Sequence, residues 1–217
     1  MSNKTMNEKI EQGREYRNFI NFEIRAKNED ENDDYIVEGY ATTFNEPYVL
    51  YKRGKIELKE QVDARAFDNA DMSDVIMQYN HEGRVFARNT NGTLKLKADE
   101  HGLKATAYLG GTEIGKQLYE EIKGGYTNKM SFGFTVAKDK YEDVENVDED
   151  SYTSTRTILE VGKLFDVSCV SIPANDGTVI SARNLGEGVI AEIEKELSLK
   201  AERKAHIEKI KELCEVR

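Results

Sequence analysis

The sequence predicts a mostly β domain of the α+β class, built as a small antiparallel barrel or sandwich and followed by a helical tail. Three observations carry this reading. Short runs of alternating apolar and polar residues recur from Phe19 to Ile172 with turn residues between them, the period-2 pattern of half-buried strands. One good helix, Thr112–Lys123, stands among them. From Glu187 to Arg217, Ile190, Ile193, Leu197, Ala201, Ile207, Ile210 and Cys214 fall at roughly helical intervals among Glu and Lys, which reads as a charged amphipathic helix with a thin apolar stripe. Many short, evenly spaced strands favour a barrel or sandwich.

Residues 1–17 are polar and charged and read as a flexible arm before a domain of residues 18–186. They lack the apolar run of a signal peptide, so secretion is not expected. Phe19–Ala26 and Tyr35–Thr42 form an early hairpin across the acidic turn Asn28–Asp34. Asn45-Glu46-Pro47 is a turn, Ile56–Leu58 a short strand, and Asp63–Phe67 a short helix or turn. Asp74–Tyr79 is β-rich and ends at Asn80-His81, and Val85–Arg88 follows. Thr93–Ala98 and Leu103–Leu109 make a clear hairpin around Asp99-Glu100-His101-Gly102. The helix is capped by Thr112, presents Ile114, Leu118 and Ile122 on one face, and ends at Gly124-Gly125. Met130–Val136 is a strand. Asp139–Thr153 is acidic and poor in apolar residues, and reads as a mobile loop. Arg156–Val161 and Lys163–Ile172 are two further strands, and Pro173–Gly177 closes the sheet.

Composition excludes several functions. A net charge of −10 argues against nonspecific nucleic-acid binding, which needs clustered Lys and Arg. No apolar segment reaches the length of a membrane span. Cys169 and Cys214 lie far apart without metal-ligand spacing, so they are expected to stay reduced in a cytosolic protein. His81-Glu82 lacks ligand spacing as well. The sequence has neither a phosphate-cradling glycine loop nor a Gly-x-Ser-x-Gly elbow. No metal or cofactor is expected.

The stretch Thr127–Val136 offers a candidate nucleophile. Phe132, Phe134 and Val136 alternate with Ser131, Gly133 and Thr135. The apolar face anchors the strand, and the other face presents a hydroxyl beside a glycine that admits close backbone approach. Serines also sit on the polar faces of ordinary strands, and a nucleophile needs a base and an orienting group. Of the three histidines, His206 lies in the charged tail and His101 in a turn. His81 ends a strand, with Val75, Met77 and Tyr79 on its side of the pleat. It is either a packed core histidine or a general base, since imidazole titrates near working pH. Asp166 stands within Leu164–Pro173, a run otherwise fit for a buried strand. A carboxylate there needs a partner, either a structural donor or the histidine it would orient.

Asn80-His81 after a β run, Lys129-Met130-Ser131-Phe132-Gly133-Phe134 after a helix ending in Gly-Gly, and Leu164-Phe165-Asp166-Val167-Ser168-Cys169-Val170-Ser171-Ile172-Pro173-Ala174-Asn175 occur in that order. Together they resemble the prohead (capsid maturation) serine proteases of tailed bacteriophages. Val37–Asn45 is similar to that family's opening block, and the resemblance covers about residues 18–184. It implies a herpesvirus-protease-like (assemblin-type) β-barrel with helices. It also implies a serine endopeptidase that acts inside the assembling procapsid in the host bacterial cytoplasm, cuts scaffold segments from the major capsid protein, and cuts itself. Position by position, Ser131 matches the nucleophile, His81 the base, and Asp166 an acidic position that is more often Glu. The tail, 187–217, then directs packaging and is removed by self-cleavage. The rival reading is a non-enzymatic assembly or scaffold protein that binds capsid protein through its helical tail.

Overall fold

The computed structural model describes residues 12–23, 25, 26, 35–146, 151–170 and 176–215. In chain order these form β1 (Glu15–Glu23), β2 (Arg25–Ala26), β3 (Ile36–Thr43), β4 (Tyr48–Arg53), β5 (Ile56–Val62), β6 (Ile76–Tyr79), β7 (Glu82–Arg88), β8 (Leu94–Ala98), β9 (Gly102–Tyr108), α1 (Glu113–Lys123), β10 (Lys129–Asn146), β11 (Ser151–Val170) and α2 (Asp176–Glu215). The acidic turn at 28–34, the closing turn around Pro173 and residues 1–11 of the arm lie outside the described residues.

The chain is mostly β with two helices, as expected, but among the described residues no barrel closes. One sheet runs β1-β10-β11-β5-β4, with β6 also paired to β11 and β7 to β6. The other runs β2-β3-β9-β8. Nor is the larger sheet purely antiparallel: β11 pairs parallel with β5 through its first half and parallel with β6 near its end. The reason is length. Gly162 does not divide β11 into the two strands expected of it. One 20-residue strand offers successive stretches of the same edge to two partners.

Three further expectations change. Glu145 and its neighbours belong to a long β10–β11 hairpin rather than a loop, paired out to Asn146 and Ser151. The β10 arm is mostly exposed beyond Val136, and the β11 arm alternates through Tyr152, Ser154 and Arg156, where mostly polar residues carry the buried face and leave little hydrophobic pattern in the sequence, while the tip at 147–150 lies outside the described residues. Strand β1 begins at Glu15, inside the stretch read as an arm, and Tyr16 and Arg17 are buried. It pairs with β10, while only Arg25 and Ala26 pair with β3. Finally, α2 starts at Asp176, so it takes in Val179–Arg183 and crosses the boundary expected at 187.

The core fills the space between the two sheets and α1. Val37, Leu94, Leu103, Met77, Leu118, Ile122, Phe132 and Phe134 belong to one buried apolar cluster. Helix α1 closes it much as its sequence dictates. Thr112 accepts a hydrogen bond from the Gly115 amide at 3.1 Å, and Leu118 and Ile122 point inward.

A second buried assembly is ionic. Glu60, on β5, is fully buried and accepts from Arg17 Nε at 2.5 Å and from Arg156 Nη1 at 2.9 Å. The Tyr48 hydroxyl also donates to it. Arg156 further binds Glu15 and Asp139. Burial opposes the ionised carboxyl of Glu15, but Arg17 and Arg156 outweigh it and hold the group below its ordinary value. This cluster knits β1, β4, β5, β10 and β11 into one sheet.

Candidate active site

Strand β10 lies between β1 and β11, so its position is fixed from both edges. Met130, Phe132 and Phe134 enter the core, and Phe132 stacks on Phe134 with ring centroids 4.4 Å apart. By the period of a strand, Ser131 and Gly133 face the other side. Ser131 stands in register with Asn18 on β1 and with Ser168 on β11.

Asp166 reaches the same face through a bulge. Gly133 pairs with Asp166, yet the next residue, Phe134, pairs with Leu164, so Phe165 is an extra residue on β11. A bulge of this kind re-aims the side chains beyond it. Leu164 stays in the core while Asp166 turns to the side of Ser131. Gly133 supplies the room: a Cβ there would lie 2.4 Å from Asp166 Oδ2 and 2.8 Å from Tyr16 Cε1.

His81 is delivered by a two-residue turn. Tyr79 on β6 pairs with Glu82 on β7, leaving Asn80 and His81 between them with φ of 50° and 63°. Two left-handed residues make the tight hairpin turn that suits strand twist. That conformation costs a non-glycine residue about 1 kcal/mol or more, and such strain persists where its surroundings fix it. The Asn80 amide donates to the Cys169 carbonyl at 2.9 Å, which ties the turn to β11. The turn also changes the face of the histidine. Gln78 is in register with Ser168, so His81, bonded on the Ser168 side, lies opposite the Met77 and Tyr79 face expected for it.

The three residues singled out in the sequence meet. His81 Nε2 is 2.5 Å from Ser131 Oγ, and His81 Nδ1 is 2.5 Å from Asp166 Oδ1. An ionised carboxylate only accepts, so Nδ1 carries the proton toward Asp166, and the Ser131 hydroxyl donates to Nε2. Burial of Asp166 works against its charged form. The charge and hydrogen bond of His81, the Ser168 hydroxyl and Arg14 outweigh it and hold the carboxyl below its ordinary value. Ser131 and His81 are 0% exposed and Asp166 is 1% exposed.

Three neighbours had not been singled out. Tyr16 packs edge-on to the His81 ring with centroids 4.6 Å apart. Arg14 lies over the Phe165 ring, with Nη1 3.9 Å from Asp166 Oδ2. Ser168 donates to Asp166 Oδ1 at 2.8 Å. Ser168 shares the i, i+2 spacing of a strand face with Asp166, a signal present in the sequence; the other two come from a segment remote in sequence. His101 and His206 are exposed and take no part. The buried thiol of Cys169 is pushed up to about 12 and stays protonated, so it is no rival nucleophile. Among the described residues no cluster of His, Cys, Asp and Glu could hold a metal ion, and no helix is long and apolar enough to cross a membrane.

The chemistry open to this arrangement is proton removal from a serine hydroxyl by an oriented imidazole. A family model described as caudovirus prohead serine protease matches residues 21–189, well over half of the chain and all three of these residues. No curated protein and no solved structure matches the chain.

Proposed function

The chain belongs to the caudovirus prohead serine protease family, and from that premise we propose that it is a serine endopeptidase in which Ser131 is the nucleophile, His81 the general base and Asp166 the group that orients the base. The family is one of capsid maturation and associates with phage capsid proteins. The substrates we assign are the major capsid protein with its scaffold segment and the chain itself, cut within the assembling procapsid. The observation that carries the reading is the continuous relay from Asp166 through His81 to Ser131, with both contacts at 2.5 Å.

In the reaction His81 Nε2 takes the Ser131 proton as Oγ attacks the scissile carbonyl. Asp166 keeps Nδ1 protonated and stabilises the imidazolium. His81 then returns the proton to the leaving amine, which departs and leaves an acyl-enzyme on Oγ. Water, activated by the same imidazole, attacks the ester and frees the acid. Because the three side chains are sealed from solvent, a substrate reaches Ser131 only after the chain around it opens.

The test compares the full chain with Ser131→Ala by intact mass spectrometry over hours, alone and with capsid protein added. Loss of the nucleophile lowers cleavage by about a thousandfold or more. Fragments from the wild type and none from the variant are the expected result. Equal cutting of both, or of neither with capsid protein present, would overturn the assignment.

A further inference from the structure

Ser168 stands outside the relay, yet it is as deeply buried as the relay's members, at 0% exposure. It is in register with Ser131 on one side and Gln78 on the other, so it faces the same way as the nucleophile. Its hydroxyl donates to Asp166 Oδ1 at 2.8 Å, and this is the oxygen that also receives His81 Nδ1–H. The other carboxylate oxygen, Oδ2, is buried without a hydrogen-bond partner among the described residues. Arg14 at 3.9 Å is too distant to bond it.

The carboxylate is therefore held through one oxygen by two donors. One of them, His81, is the very group the carboxylate has to orient, and it sits on a two-residue turn. The other, Ser168, is on the interior strand β11, flanked by β10 and β6. Rigid elements make better supports than turns. We propose that Ser168 is a positioning residue: its hydroxyl fixes the Asp166 carboxylate, so that His81 presents Nε2 to Ser131. This rests on the assignment of Ser131 and His81 above, but its test does not depend on cleavage.

The experiment uses the full chain labelled with 15N-histidine and follows the His81 Nδ1–H resonance, which a short bond to a carboxylate moves far downfield. Ser168→Cys keeps the packing and leaves only a weak donor, while Ser168→Thr keeps the hydroxyl. In the cysteine variant the resonance moves upfield and is lost on acidification at a higher pH than in the wild type, because a donor favouring the ionised carboxylate is gone. The threonine variant restores both. Serine-dependent cleavage falls about tenfold in the cysteine variant, the rate equivalent of one hydrogen bond to a charged group. A His81 resonance unchanged in position and pH response in Ser168→Cys would overturn the proposal, whatever happens to cleavage. Absence of serine-dependent cleavage in the wild type would instead overturn the assignment of the nucleophile.

Discussion

Two largely buried polar clusters lie on opposite sides of β1. Tyr16 and Arg17 are neighbours in sequence and so point opposite ways: Tyr16 packs on His81, and Arg17 enters the ionic cluster around Glu60. The ionic cluster is saturated. Both oxygens of Glu60 accept hydrogen bonds, and Arg17 and Arg156 are each shared between carboxylates. The relay is sparing. Its carboxylate leaves Oδ2 without a hydrogen bond among the described residues, and its histidine rests on a left-handed turn. Saturation suits a group that must never move. The His81 ring lies between Ser131 Oγ and Asp166 Oδ1, each 2.5 Å away, and the carboxylate holds it through Oδ1. The comparison thus predicts that damage to one cluster is read in stability and damage to the other in rate.

Glu60→Ala is the strongest way to break the comparison. It leaves two buried guanidinium groups each without one of their carboxylate partners, and breaking a buried ion pair costs about 3–5 kcal/mol. Urea unfolding should show that loss, while cleavage per folded molecule stays near that of the parent. A large drop in rate at unchanged stability would mean that the two clusters are not separate in function.

Gly133→Ala sharpens it, because the glycine belongs to the relay's side alone. The added methyl would meet Asp166 Oδ2 at 2.4 Å and Tyr16 at 2.8 Å, and overpacking of this kind costs about 1–3 kcal/mol. Oδ2, the atom the methyl would strike, has no hydrogen bond among the described residues to hold it, so the carboxylate is displaced and cleavage should fall by more than the stability loss explains. Parallel measurement of the unfolding midpoint and of the cleavage rate checks this. A stability loss with the rate per folded molecule intact would show that Asp166 tolerates displacement.

Legibility in the sequence divides along the same line. Ser131 could be read because Phe132 and Phe134 fix the face of its strand. Asp166 could be read because a carboxylate is out of character in Leu164–Val170. What brings them together could not. The bulge at Phe165 and the two left-handed residues at Asn80-His81 are set by pairing with other strands, and neither uses the glycine that would announce it. The ionic cluster was invisible for another reason. Its charged members are scattered over four strands, with Tyr48 on a fifth, in a chain one third charged, and only the fold makes Glu60 different from any surface glutamate. The helix α1 and the β8–β9 hairpin, which need only local pattern, were read nearly to the residue.

The smallest expected effect tests the far end of the chain, where α2 itself divides in two. Ile190 and Ile193 pack with Ile56 and Tyr152 in a small apolar cluster, and Gly186 lets the helix approach Tyr51 so closely that a Cβ would lie 2.4 Å from its ring. Residues 201–211 are exposed throughout, Ile207 and Ile210 included. A chain ended after Lys200 should therefore unfold within about 0.5 kcal/mol of the full chain, as changes away from buried contacts do. Ending it after Gly186, at the boundary first read from composition, removes both isoleucines and should cost roughly 3 kcal/mol. Urea midpoints of the two truncations decide where the folded unit ends. Equal midpoints would mean that the first half of α2 is as dispensable as the second, and that the docking around Tyr51 and Ile56 contributes nothing to the sheet that carries the relay.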